Sequence, residues 1–238
     1  MLQLPQLKNI FSASPEDEQV LQFQGGKQIP VTLTGANEFN VAADGSGDFL
    51  TIQEGVNALG GNAGTVRIKA GTYPITESIV LGGNSQTIIG SGWGTIIDAS
   101  GTNYSIFDCD TNNASKTNIR DLQIDGNTNV GLIGIDIDNR SWCKIENVYF
   151  ESVRSTVIVM EDHSGVTPQG NVVTNCLISN AGAVGIITDG NDHLILGNQI
   201  TNSTGADIQL SGTNVICTNN HAPTITDTGT GTILANNI

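Results

Sequence analysis

Three carboxylates fall at intervals that could bring them together. Asp138, Glu161 and Asp189 close three short apolar phrases, Gly134-Ile-Asp-Ile-Asp138, Ile158-Val-Met-Glu161 and Ile186-Ile-Thr-Asp189. Alternate residues of a strand face opposite sides. With Ile158 and Ile186 turned inward, Glu161 and Asp189 therefore turn outward, and Ser211 continues their column after Ile208-Gln-Leu. If the phrases stack as parallel strands, neighbouring acids lie ~4.8 Å apart. That is near the ~5–5.5 Å separation of a retaining glycosidase, while Asp138 and Asp189 would approach the upper end of the ~6.5–9.5 Å inverting range. Stacked carboxylates also repel, which raises one pKa and suits a general acid. Asp138, Glu161 and Asp189 are thus the candidate catalytic residues, with His163, Arg140 and His193 as candidate substrate-binding residues along the same edge. A solvated acidic edge, or an edge facing another subunit, explains the same column without chemistry.

The positioning elements are a ladder that the chain repeats with itself. Ile119-Arg-Asp-Leu-Gln-Ile124 recurs as Ile145–Phe150, Val173–Ile178, Ile195–Ile200, Ile216–His221 and Ile233–Ile238, with starts stepping by 26, 28, 22, 21 and 17 residues. A period near 20–30 residues marks a solenoid, whose units bury their apolar faces only by stacking. Each rung carries at least two short period-2 strands separated by Asn, Gly, Asp and Ser, with no helical pattern between them. The expected fold is all-β, a single-stranded right-handed parallel β-helix over residues 37–238. In this register Cys176 shares the buried column of Leu122 and Val148. Asn198, Asn219 and Asn236 form an asparagine stack, and His221 fills an apolar position on a late rung.

Composition limits the partners. Nine Lys and Arg against 23 Asp and Glu give a net charge of −14, and no Lys or Arg follows Arg154. Counterion-release binding of nucleic acid and attraction to an anionic membrane are both disfavoured. No apolar run reaches the roughly 18–20 residues of a membrane span, and the first residues lack a secretory pattern. Cys109, Cys143, Cys176 and Cys217 have no CxxC spacing, which suits reduced thiols better than disulfides or a metal site. No cofactor is expected. Asp108-Cys-Asp110-Thr-Asn112 offers an alternating start for a Ca²⁺ ion, but Ile119 stands where an EF-hand needs Glu, so an Asx-rich turn is the simpler reading. Trp93, Trp142, Tyr104 and Tyr149 could form a sugar-stacking platform.

Two further segments carry resemblances. Asp44-Gly-Ser-Gly-Asp-Phe and Thr51-Ile-Gln-Glu-Gly-Val resemble the opening of pectin methylesterases, and more broadly of pectate-lyase-like β-helices. Gly64–Tyr73 and Thr87–Trp93 continue the likeness. The spacing of Ile52, Val56 and Leu59 predicts a short helix within 49–59 that plugs the first rung. The esterase signature blocks are absent, so the resemblance implies the fold and not that activity. Residues 1–36 form a separate arm, with a turn at Ser14–Glu18 and a hairpin around Gly25-Gly26. Glu16–Val31 resembles a segment near the start of phage tail-fibre and virion-appendage proteins, which implies attachment to other virion proteins through this arm. The ladder runs to Ile238 without a polar cap, so identical subunits are expected to cover it, most simply as a homotrimer. The sequence therefore reads as a virion-associated spike or fibre, assembled in the host cytoplasm and touching host polysaccharide. The alternatives are a small carbohydrate-active enzyme (hydrolase or lyase) and a non-catalytic sugar-binding β-helix; secretion is the alternative location.

Overall fold

Each ladder phrase becomes one side of a right-handed parallel β-helix in the computed structural model, which describes residues 19–24, 27–32, 37–101, 103–110, 115–127, 131–163 and 165–238. The chain divides into two compact units, residues 1–36 and 37–238. In the first, strands Gln19–Gln24 and Lys27–Thr32 pair antiparallel, Gln24 opposite Lys27. The expected turn at Ser14–Glu18 and the Gly25-Gly26 tip lie outside the described residues.

The second unit coils through three parallel faces. One face runs from Glu38–Val41 through the front halves of Asn118–Asp125 and Lys144–Glu151 to Ile233–Ala235. The back halves of the same long strands pair with Thr95–Ala99 and Leu177–Ser179 to make the second. The third has seven strands and includes Ile133–Asp136, Ile158–Met160, Ile186–Thr188 and Ile208–Leu210. Ile119, Ile145, Val173 and Ile195 are all buried in one register column, and Cys176 is buried below Leu122 and Val148. The expected helix forms as Ile52–Ala58 and buries Ile52 and Val56 against the first rung. Thr51 caps it by accepting from Glu54 N–H, while the Glu54 carboxylate accepts from Thr51 N–H; this reciprocal cap satisfies two otherwise orphaned donors.

The chain bends at fixed positions by visiting the left-handed region. One corner column is Asp121, Asn147, Asn175, Gly197, Asn219 and Asn236, all with φ between 52° and 66°. A second is Ser152, Asn180 and Asn202, and a third is Lys116, Trp142, Gly170, Asp192, Asn214 and Gly231. Asn dominates because it tolerates this region better than other side chains bearing a Cβ.

The late rungs differ from the expected register. Ile195 pairs with Cys217 and Cys217 with Leu234, while Leu194 pairs with Ile216 and Ile216 with Ile233. Cys217 is therefore buried, while Ile216 and Ile233 face outward at 40 % and 54 % exposure. A one-residue slip exchanges the two faces of a strand, so the stacked asparagines are Asn198, Asn220 and Asn237. Asn219 and Asn236 occupy the bend, and His221 is exposed while Ala222 takes the buried place. The stack is hydrogen-bonded to the backbone of the preceding rungs. Asn198 Oδ1 accepts from Cys176 N–H at 2.9 Å and its Nδ2 donates to Val173 O at 3.1 Å. Asn220 repeats the pattern with Asn198 N–H and Ile195 O, and Asn237 with Asn220 N–H and Cys217 O. Removing a side chain from this stack strands buried backbone groups, each costing about 1–3 kcal/mol. Asn198→Ala is expected to lower stability by about 2–4 kcal/mol in chemical denaturation, and Asn219→Ala by about 1–2 kcal/mol through its bend alone. Equal losses would remove the stack from the account.

Candidate active site

The three acids do share a column. Ile135 pairs with Ile158, and Ile158 with Ile186. The register continues through Asn139 N–H to Glu161 O at 3.0 Å and Asp189 N–H to Met160 O at 3.3 Å. Asp138, Glu161 and Asp189 thus occupy successive rungs where the third face ends. Asp110 precedes Asp138 in the column, because Asp108 pairs with Asp136.

Their environments differ sharply. Glu161 and Asp189 are half-buried, but Asp138 is 4 % exposed. Strand alternation alone would leave Asp138 open; the next rung folds over it. Glu161 N–H donates to Asp138 Oδ1 at 2.6 Å, and His163 Nδ1 lies 2.7 Å from Oδ2. Asn139, in the left-handed region at φ 56°, holds that rung in place by accepting from His163 N–H at 3.0 Å. The His163 side chain is 63 % exposed, with Nε2 3.7 Å from Glu161 Oε2. A buried carboxylate therefore steadies a solvent-facing imidazole beside a second carboxylate.

Electrostatics follow from this burial. Desolvation pushes Asp138 up to about 7, against the pull of the Glu161 N–H and His163. The Asp138 charge raises His163 above its ordinary value. Burial first, and the neighbouring Asp189 second, raise Glu161. A carboxyl raised in this way keeps its proton to higher pH than an exposed one, the direction a general acid needs. Asp138 is enclosed and contacts the His163 ring, whereas Glu161, His163 and Asp189 reach the surface.

The other candidates lie apart from this trio or are held by neighbours. Arg140 Nη2 bonds Asp110 Oδ1 at 2.8 Å and Asp110 O at 3.0 Å, and Asn139 Nδ2 bonds the same carboxylate oxygen at 3.1 Å. A guanidinium thus already neutralises Asp110, one of the two Ca²⁺ candidates. Asp108 accepts from Asp110 N–H as in an Asx turn, and Asn112 lies outside the described residues. Among the described residues no group of three or more His, Cys, Asp or Glu could hold a metal ion. His193 is buried, its Nδ1 accepts from Asn171 N–H at 3.0 Å, and burial lowers it to about 4. It belongs to the interior ladder, not the edge. Trp93 meets Tyr149 with centroids 5.5 Å apart, Trp142 packs over Gly170, and the Tyr104 hydroxyl donates to Ser100 O.

Asp136, Asn139 and Asp162 were not singled out from the sequence. Asp136 accepts from Ser105 Oγ at 3.0 Å and lies half-buried beside Asp138, with burial raising its carboxyl. Asp162 donates its N–H to Asp189 Oδ1 at 2.7 Å and accepts from Gly165 N–H, ordering the turn that carries His163. The alternation in Ile-Asp-Ile-Asp138 was the available signal for Asp136, and the Asn after it for the bend. The pair predicts a measurable shift. Asp138→Asn removes the negative charge that stabilises the imidazolium, so the His163 pKa, followed by NMR titration, is expected to fall toward or below its ordinary 6.5. A value unchanged from the wild type would contradict the pairing.

Similar structures place this geometry in context. The Azotobacter vinelandii mannuronan C-5 epimerase AlgE4 A-module superposes with a TM-score of 0.63 at 18% identity, covering 76% of this chain and 53% of that one. The Geobacillus virus E2 protein ORF18 gives 0.52 at 12% identity, covering 94% and 69%. The catalytic domain of a GH87 α-1,3-glucanase, solved in complex with nigerose, gives 0.53 at 18% identity, covering 77% and 37%. The chain spans about half the length of the epimerase module, and at these identities the likeness is one of fold. No curated protein sequence matches it. Residues 109–237 match the family described as the right-handed beta helix region, more than half of the chain, and the chain belongs to that family.

Proposed function

We propose that this β-helix processes polysaccharide at the edge formed by Glu161, His163 and Asp189. The carrying observation is the Asp138–His163–Glu161 arrangement, a buried carboxylate steadying an exposed imidazole beside a carboxyl whose pKa is raised. In this reading Glu161 is the general acid that protonates the leaving glycosidic oxygen. Asp189, one rung away, is the carboxylate that meets the anomeric carbon or activates water. Asp138 is a positioning residue that sets the His163 ring and its proton. The reaction class is glycoside hydrolysis, in line with the glucanase and in the same carbohydrate-active field as the epimerase that share the fold. General acid catalysis contributes typically ~10²–10⁴-fold. Glu161→Gln is therefore expected to cut reducing-end release from a susceptible polysaccharide by about that factor while the chain stays folded. Equal rates for the wild type and Glu161→Gln would end this reading.

A second reading concerns where the molecule works, and a specific surface favours it. Val172, Leu194, Ile216 and Ile233 stack outward on four successive rungs of the first face. The neighbouring column, Leu196, Thr218 and Ala235, continues from the buried Thr174 and is also uncharged. In a chain with net charge −14, an uncharged strip lets copies approach without opposing like charges there. We propose that it joins identical subunits, most simply three, in a virion spike to which residues 1–36 attach other virion proteins. The fold shared with the Geobacillus virus protein supports this setting. Light scattering is expected to give about 75 kDa, three times 24.9 kDa, and Ile216→Asp to reduce it toward one copy. A wild-type mass near 25 kDa would contradict the assembly.

A further inference from the structure

Two interior ladders tie the rungs together, and one of them passes through a titratable side chain. At the bend between the first and second faces, Asn198, Asn220 and Asn237 each accept the N–H of a residue on the preceding rung. At the turn from the third face to the first, Asn171 Oδ1 accepts from Cys143 N–H at 2.8 Å, and His193 Nδ1 accepts from Asn171 N–H at 3.0 Å. His193 thus stands where the ladder elsewhere uses an amide. An imidazole nitrogen accepts only while the ring is neutral, whereas an amide oxygen needs no such condition. Because Nδ1 accepts, the neutral ring carries its proton on Nε2. Nε2 is buried with no hydrogen-bond partner among the described residues, and a Cβ at Gly190 would lie 2.3 Å from it. The residue is 1 % exposed. A second proton would set two N–H groups against each other at Nδ1 and leave the charge desolvated.

We propose that His193 is an acid-release latch: protonation breaks its tie to Asn171 and frees the turn between the third and first faces, while the asparagine corner stays closed. The groups around the ring favour its neutral form. The rung above contributes Pro168 to Asn171 and the rung below Thr213 to Ile216, all uncharged. Cys143, beyond Asn171, has its thiol pushed up to about 11 by burial and stays neutral. Within the turn of His193 itself, Asp189 accepts from Asp162 N–H. Asp192 is the charged group that acts on the ring, but its carboxylate is exposed and already accepts from Gln169 and Asn214. Burial outweighs it and holds His193 down at about 4, against an ordinary 6.5. With the folded-state value depressed, the unfolded chain takes the proton first. The latch therefore holds above about pH 6.5 and lets go as the pH falls toward about 4. The three turns tied here begin at Asp138, Glu161 and Asp189, so the segment that acid frees, 161–171, is the one carrying His163.

The test is chemical denaturation of the full chain at pH 8 and pH 5, for the wild type and for His193→Asn. An asparagine there can accept the Asn171 N–H as Asn198 and Asn220 accept theirs. Asp138, Glu161 and His163 are shifted upward and stabilise the fold as pH falls, equally in both chains, so the difference between the chains isolates His193. Between the two pH values the unfolding constant of the wild type is expected to rise about 30-fold more than that of the variant. The same pH dependence in both chains overturns the proposal. Two measurements on the wild type decide the matter if the variant fails to fold. By NMR the His193 ring is expected to be neutral at pH 5 with its proton on Nε2; a ring already charged at pH 5 overturns the latch. Amide exchange, corrected for its intrinsic pH dependence, is expected to show Asn171 opening more at pH 5 than at pH 8, with Cys176, tied to Asn198, changing less. An equal change at both amides overturns the release of this turn.

Discussion

Every rung has to turn the chain back on itself and still keep each strand in register with the rungs above and below. Left-handed backbone at fixed corners meets the first demand, and side chains that bond the preceding rung meet the second. At the interior corner, Asn198, Asn220 and Asn237 pass hydrogen bonds from rung to rung. Asn171 does the same for Cys143, and His193 for Asn171. Asn171, His193, Asn198 and Asn220 are buried, where a satisfied polar network rigidifies and a broken one is costly. The corners therefore fix the register, and the register fixes which side chains share an outward column.

The candidate site is a consequence of that arrangement. Asp138, Glu161 and Asp189 meet because the third face stacks Ile135, Ile158 and Ile186. Asp138 uses the same device as the asparagines, accepting the N–H of the next rung with one oxygen. Its second oxygen holds His163. A structural ladder position thus becomes an electrostatic one. An asparagine there would tie the rungs equally well, but it would not raise the imidazole pKa.

Much of this was legible in the sequence, and the failures have definite physical causes. Solenoid, capping helix and acid column followed from period-2 alternation and from inward Ile158 and Ile186. The register slipped at Ile216 because that Ile opens its short strand and looks like the buried start, although the buried residue is Cys217. The step from Val173 to Ile195 is 22 residues, and the same step from Ile195 reaches Cys217; that regularity was the available signal. Strand alternation places a side chain on a face but is silent about what the following turn lays over it. It therefore marked Asp138 as outward without revealing its enclosure. His193 grouped with the edge residues by sequence proximity to Asp189, whereas its place in the interior column depends on a bend at Asp192.

The central claim is that Glu161 and His163 meet the sugar while Asp138 stays behind them. A crystal structure of the Glu161→Gln chain with a bound oligosaccharide tests it most directly. The account predicts a glycosidic oxygen within hydrogen-bonding reach, ~2.6–3.2 Å, of the residue 161 side chain or His163 Nε2, with Asp189 on the opposite side of the bond. A sugar held on another face, or one whose rings contact neither side chain, would contradict it.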